Sequence, residues 1–147
     1  MHKYIIALAL ALIAGPAWAA GCEQAVKSND AMQYDVKEIV IPKSCKKFTV
    51  KLEHTGKLPK AAMGHNWVLT KDTDFQAMTK AGASAGIAKD YVADDVRIVA
   101  HTMLLGGGES TAITFDVSKL AAGASYTYFC SFPGHWAMMK GTLKLAK

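Results

Sequence analysis

The chain has 147 residues, 51% of them hydrophobic, and a formal charge of +5. That length allows one domain with a real core, and the basic residues are scattered, with only Lys46-Lys47 adjacent. The clustered basic stripe of a nucleic-acid binder is therefore excluded.

His2 and Lys3 make a short positive start, Tyr4 to Gly15 is apolar, and Ala17-Trp18-Ala19 is a small-x-small site. The apolar run is shorter than the about 20 residues a membrane span needs, so residues 1–19 read as a secretory signal peptide cleaved after Ala19. Its removal leaves a single domain at residues 20–147, and without Lys3 the formal charge falls from +5 to +4. The expected destination is outside the cytoplasm. No later stretch is long and apolar enough to span a membrane.

Further along, Val36–Ile41 is rich in β-branched residues, and Phe48, Val50 and Leu52 alternate with Thr49 and Lys51, the period of a half-buried strand. Asn66–Leu69, Val96–Val99, Ala112–Phe115, Tyr126–Phe129 and Thr142–Leu145 also read as strands. Turn material separates them at Pro42-Lys43, Gly56, Gly106-Gly107-Gly108, Gly123 and Pro133-Gly134. One stretch lacks the alternation: Asp72–Ala81 predicts a short helix with Asp72 as its cap, limited by Gly82 and Gly86. Many short strands with turns between them predict an all-β sandwich or barrel carrying one short helical insertion.

All three cysteines lie in the exported part, where an oxidising compartment favours pairing. Three is odd, so at least one stays unpaired within the chain. Cys22 and Cys45 flank an early segment of the right size for a stapled loop. Cys130 is left over, and its surroundings are distinctive.

Cys130-Ser131-Phe132-Pro133-Gly134-His135-Trp136-Ala137-Met138-Met139 holds a thiol, an imidazole and a thioether in the order C-x4-H-x3-M. A turn at Pro133-Gly134 can bring Cys130 and His135 to one point, and the loops of a sandwich can bring in His65 from Gly64-His65-Asn66. Two imidazoles and a thiolate make a trigonal set that a distant thioether completes as a blue-copper site. Each residue alone has an ordinary explanation: a buried cysteine filler, a satisfied histidine, a core methionine. Their combination in an exported β-rich chain does not. Zinc is compatible with the same donors but cannot change oxidation state.

Three other functions use the same residues. A copper-delivery module needs exchangeable metal, which an enclosed site opposes. A Cys130 nucleophile with His135 as base leaves His65 and Met139 without a role. A copper oxidase or nitrite reductase needs a second histidine cluster, and none is visible. An electron carrier needs only the one site.

Beyond the ligand segment, Lys43-Ser44-Cys45-Lys46 with Phe48-Thr49-Val50, Met63-Gly64-His65-Asn66-Trp67-Val68-Leu69, Thr114-Phe115-Asp116-Val117-Ser118-Lys119-Leu120 and Met139-Lys140-Gly141-Thr142-Leu143 resemble the azurins, blue-copper proteins of the cupredoxin family. The likeness covers essentially all of residues 20–147. It implies a Greek-key β-sandwich of cupredoxin type and a periplasmic carrier of single electrons between Cu(II) and Cu(I), with no enzymatic step. It also implies a Cys22–Cys45 disulfide, His65, Cys130 and His135 as strong ligands, Met139 as a weak axial ligand and the Gly64 carbonyl opposite it. Asn66 would tie the two ligand loops by hydrogen bonds near Cys130.

The same resemblance implies an apolar docking patch over His135 made by Met32, Leu58, Ala62, Met63, Phe132, Pro133 and Ala137. It makes His54 an internal non-ligand histidine, His101 a surface one, and Tyr126 a candidate tyrosine corner. The implied partners are c-type cytochromes, a copper nitrite reductase, an amine dehydrogenase or a peroxidase, met in transient complexes by a monomer. Two positions depart from the azurin pattern: Trp136 stands where a small polar residue is usual and Met138 where leucine is. Trp136 can enlarge the docking patch, shield the copper or alter coupling, and is expected to change partner choice more than ligation.

Overall fold

The computed structural model describes residues 21–147; the expected leader at 1–19 and its expected cleavage point lie outside the described residues. Strands β1 (Glu23–Asn29), β2 (Gln33–Tyr34), β4 (Lys47–His54) and β7 (Ser110–Asp116) form one sheet in the order β2-β1-β4-β7. The other sheet contains β3 (Glu38–Ile41), β5 (Val68–Lys71), β6 (Ile98–His101), β8 (Tyr126–Phe129) and β9 (Lys140–Leu145), in the order β3-β9-β8-β5-β6. The chain crosses repeatedly between sheets, and β1–β4 and β3–β9 are parallel pairs within an otherwise antiparallel sandwich. This is the expected all-β architecture.

Strand β4 follows the foreseen alternation, burying Phe48, Val50, Leu52 and His54 while Lys47, Lys51 and Glu53 face water. In β8 all four residues are buried, because both faces of the five-stranded sheet are covered there. Tyr126 and Tyr128 point between the sheets, whereas Phe129 joins Val68, Phe75, Met78 and Val92 on the outer face. Trp67 is fully buried between the sheets, stacked on Tyr128 at 5.6 Å and on Phe115 at 6.3 Å.

The outer face of β8 and β5 is covered by α2 (Phe75–Ala85), the foreseen helical insertion. Its boundaries differ from the sequence expectation. Asp72–Asp74 form a 3-10 turn rather than the first helical residues. Asp72 does not cap; its carboxylate accepts a hydrogen bond from the Thr127 hydroxyl at 2.6 Å. Gly82 does not stop the helix either. It is buried at a close approach, where a Cβ would stand 2.3 Å from the Tyr91 carbonyl oxygen. The stop comes at Gly86, with φ 75°, a conformation glycine adopts without strain.

Three strands start later than expected: β3 begins at Glu38 instead of Val36, and β5 and β6 are delayed for local reasons. His65 makes only an isolated bridge to Leu105, so the ladder begins at Val68 instead of Asn66. Near Val96, the Asp95 carboxylate accepts from the Arg97 N–H and the Asp95 carbonyl accepts from the Ile98 N–H. That turn delays β6 to Ile98. Strand β1 and the four-residue helix α1 (Lys60–Met63) were not foreseen. In β1 only Val26 and Ser28 are fully buried, and the strand is held by its parallel ladder on β4.

Cys22 and Cys45 are disulfide-bonded, and Cys130 is free and buried. The bridge closes a loop with a sequence separation of 23; such a loop stabilises by about 3 kcal/mol in the chain-entropy account. Tyr126 accepts a hydrogen bond at its hydroxyl from the Ala121 N–H, 2.9 Å away and five residues upstream, which is the bond of a tyrosine corner.

Candidate metal centre

Two loops meet at one end of the sandwich. His65 follows α1 and precedes β5. Cys130 follows β8, His135 opens a 3-10 turn over His135–Ala137, and Met139 directly precedes β9. The Cys130 N–H donates to the Met139 carbonyl at 3.0 Å, and the Met139 N–H to the His135 carbonyl at 2.8 Å. The ligand loop is thus closed on itself before any ion is considered.

His65, Cys130 and His135 converge. Cys130 Sγ lies 3.8 Å from His65 Nδ1 and 3.7 Å from His135 Nδ1, and the two nitrogens are 3.2 Å apart. In a triangle with those edges the point equidistant from its corners lies about 2.1 Å from each, which is where nitrogen and thiolate donors of about 2.0–2.3 Å reach hold a first-row metal. His65 Nε2 lies 2.8 Å from the Asn29 carbonyl, so the proton sits on Nε2 and the Nδ1 lone pair faces the shared point. All three side chains are buried. Two lone pairs and a sulfur aimed at one enclosed point fit a soft-to-borderline cation.

Gly64 precedes His65, and Met139 is bonded through its backbone to Cys130 and His135. The Gly64 carbonyl oxygen is 3.8 Å from Cys130 Sγ, and Met139 is fully buried in the same core cluster as Cys130. Glycine is required at 64 by crowding, since a Cβ would meet the Lys60 carbonyl at 2.5 Å and the Leu104 side chain at 2.9 Å. Its φ of −67° is open to any residue.

Asn66 joins the two ligand loops, as the resemblance implied. Its Oδ1 accepts from the Ser131 N–H at 2.8 Å, and its Nδ2 donates to the Ser131 hydroxyl and the Asp90 carbonyl, each at 2.7 Å. Asp90 and Ser131, and Asn29 behind His65, carried no sequence signal, because each contact spans 24 residues or more. Backbone N–H groups of Asn66 and Phe132 also point at the Cys130 sulfur.

Burial sets the protonation of the donor triangle. It pushes the Cys130 thiol up to about 12, against the pull of those two N–H groups. It lowers His65 to about 4 and moves His135 in the same direction. A histidine lowered in the folded state is protonated first in the unfolded chain. The metal-free protein is therefore expected to hold its full stability above pH 6.5 and to lose it steadily as pH falls towards 4. Above pH 9 the raised thiol should cost stability again, since the unfolded cysteine ionises first. Urea midpoints of metal-free protein across pH 4–10 measure both limbs; a flat profile below pH 6.5 refutes the first.

The other histidines take no part in the triangle. His54 is fully buried; its Nδ1 accepts from the Gly56 N–H at 3.0 Å and its Nε2 lies 2.9 Å from the Met63 carbonyl, which places the proton on Nε2. It stacks on His65 with ring centroids 4.3 Å apart. His101 is exposed, with Nδ1 3.1 Å from the Thr102 carbonyl.

Around His135 the expected patch residues are at or near the surface. Phe132 is stacked on the His135 ring at 4.4 Å; Leu58, Ala62, Pro133 and Ala137 are exposed, and Met32 and Met63 are half-buried. Trp136 is half-buried and packs edge-on against Phe75 at 6.1 Å. Part of its surface therefore goes into the outer apolar cluster rather than into the patch. Met138 is 57% exposed.

The model of copper-binding proteins of the plastocyanin/azurin family matches residues 20–146. The chain belongs to the plastocyanin/azurin family. It is 60% identical to the azurin of Achromobacter denitrificans over 147 residues, covering 99% of both chains. It is 68% identical to azurin-2 of Alcaligenes xylosoxydans xylosoxydans over 127 residues, or 86% of this chain and 98% of that one. Among solved structures it is similar to an azurin, Az-iso2, from the obligate methylotroph Methylomonas sp. strain J, with a TM-score of 0.83 and 50% identity over 87% of this chain and all of the other. As a member of this family, with His65, Cys130 and His135 positioned as a metal site, the chain is a blue-copper electron carrier and not an enzyme. Copper is its cofactor.

Proposed function

We propose that His65, Cys130 and His135 would hold one copper ion between them, with Met139 and the Gly64 carbonyl as weaker donors beside them, and that redox partners dock on the patch around His135, whose ring edge would be the route for the electron. When bound, the ion supplies a one-electron Cu(II)/Cu(I) couple at a site whose mixed thiolate and imidazole donors suit both states. The chain's own residues do the rest. Asn29 orients His65, Asn66 holds the Cys130 loop, and the buried walls exclude water. A site that rearranges little when its charge changes is one that exchanges electrons fast.

The convergence of the three donor atoms on one point is the observation that carries this reading. An apolar surface over His135, with Leu58, Ala62 and Ala137 exposed, supports the docking face, since exposed apolar patches on soluble domains mark interaction sites. Small interfaces suit redox partners that must separate quickly. By resemblance those partners are periplasmic: c-type cytochromes, a nitrite reductase or an amine dehydrogenase. In keeping with export, residues 1–19 would be removed. Among the described residues no helix is long and apolar enough to cross a membrane.

Titration of purified protein with Cu(II) should produce an intense blue band at one ion per chain, bleached by reductant, with a reversible one-electron wave. Colourless protein would overturn the site. For the docking face, Ala137→Glu should slow exchange with a c-type cytochrome by about tenfold, because a charge must be desolvated or excluded at the contact. The potential of the isolated protein should barely move. Unchanged exchange rates across several partners would place the docking face elsewhere.

A further inference from the structure

The residues immediately beside each donor of the ligand loop share one contact, and it lies outside the site. Phe129 precedes Cys130, Trp136 follows His135, and Lys140 follows Met139. All three touch Phe75, the first residue of α2. The Phe129 ring meets it edge-on at 5.1 Å and 76°, the Trp136 ring edge-on at 6.1 Å and 78°, and Lys140 Nζ sits 5.3 Å from its centroid. Phe75 itself is nearly buried, at 8% exposure, with Met78 of the next helical turn and Val68 of β5 behind it. Farther along the helix, a Cβ added at Gly82 would stand 3.5 Å from the Cβ of Ser131, the residue after Cys130.

From this arrangement we infer that Phe75 and Trp136 form an outer clamp, positioning residues through which the helical insertion holds the ligand loop in its metal-binding shape. The inference rests on the copper reading above and explains Trp136, one of the two residues that depart from the azurin pattern. The loop from 130 to 139 is closed by its own backbone bonds and a 3-10 turn, with Gly134 at φ 82°, but those bonds do not seat it against the rest of the fold. Edge-to-face aromatic pairs are directional, and a cation over a ring adds to them. Three such contacts on one rigid helical residue fix the loop at both ends and in its middle. Neither Phe75 nor Trp136 reaches a donor atom, so their effect is on where the donors stand. The clamp differs from the Asn66 bonds in place as well as chemistry. Asn66 acts between the two ligand loops, at Ser131, whereas Phe75 acts from behind the loop, on its outer side.

The test compares wild type with Trp136→Ser, Trp136→Phe, Phe75→Leu and Phe75→Tyr. In metal-free protein, hydrogen exchange at the amides of His135 to Met139 should quicken by about three- to tenfold in Trp136→Ser and Phe75→Leu, the range that losing one or two aromatic contacts predicts, while amides of β4 stay unchanged. With Cu(II) bound, the same two variants should shift the ratio of the visible charge-transfer bands and the copper hyperfine splitting, and Trp136→Phe and Phe75→Tyr should restore wild-type values. Should Phe75→Leu fold poorly, Trp136→Ser carries the test alone. Wild-type protein that never turns blue would sink the copper reading, whatever the loop does. Blue wild type with loop exchange and spectra unmoved in Trp136→Ser would sink the clamp.

Discussion

Cys130→Ser should give a folded protein that stays nearly colourless with Cu(II). The intense band of a blue-copper site is charge transfer from thiolate to metal, and no other donor of the triangle supplies it. Serine is close in shape and sits among the same N–H groups of Asn66 and Phe132, so the fold has little reason to collapse. The hydroxyl, however, is a hard donor that stays protonated where even the thiol is pushed up to about 12 by burial. Sulfur ionises there only because a bound metal replaces its proton. The visible absorbance per bound ion should drop at least about tenfold, and the reversible one-electron wave should vanish, since oxygen donors select other metals and geometries. Circular dichroism should remain that of wild type. An undiminished blue band in Cys130→Ser would mean that the sulfur is not a ligand.

Asn66→Leu should cost about 4 kcal/mol, the largest loss expected from a single exchange at the site. The residue is fully buried and engages Ser131 twice and Asp90 once. Leucine leaves the Ser131 N–H and the Asp90 carbonyl facing an apolar group, and each buried orphan costs about 1–3 kcal/mol. The Ser131 hydroxyl can turn to another acceptor and moderates the total. Because Ser131 adjoins Cys130, the loop that carries the sulfur also loosens. The variant should therefore show a lower urea midpoint with or without copper, and an altered potential when loaded. Asn66→Asp keeps one acceptor for the Ser131 N–H and should lose less. Equal stability of wild type and Asn66→Leu in the metal-free state would remove Asn66 from the framework of the site.

The meeting of Cys130 and His135 was legible in the sequence for a chemical reason. Thiol, imidazole and thioether are scarce side chains, and their order in C-x4-H-x3-M lies within a single turn, where short-range geometry already brings Cys130 and His135 together. The cysteine count likewise pointed to Cys130 as the thiol left unpaired. Strands with a strict two-residue period, such as β4, were readable because alternate side chains meet opposite environments. Helix α2 was found but misplaced. Asp72 looked like a cap, yet its carboxylate is taken by Thr127, 55 residues away, and Gly82 looked like a stop where packing against Tyr91 needs a missing side chain. β1 escaped notice because its residues are mostly polar and its order comes from its neighbour.

What this sequence determined alone is the inventory: an export-type leader, two cysteines suited to a staple, a short loop bearing three donors, and enough alternating segments for a sandwich. These are properties of residue type and near spacing, which hold before the chain folds. Tertiary structure decided everything that depends on distant groups meeting. It brought His65 to within 3.8 Å of a sulfur 65 residues later, turned its Nδ1 inward by giving Nε2 to Asn29, and set Asn66 between two loops. It also turned Trp136 towards Phe75. A side chain's identity travels with the sequence, but its orientation is settled by whichever partner the fold brings within a few ångströms.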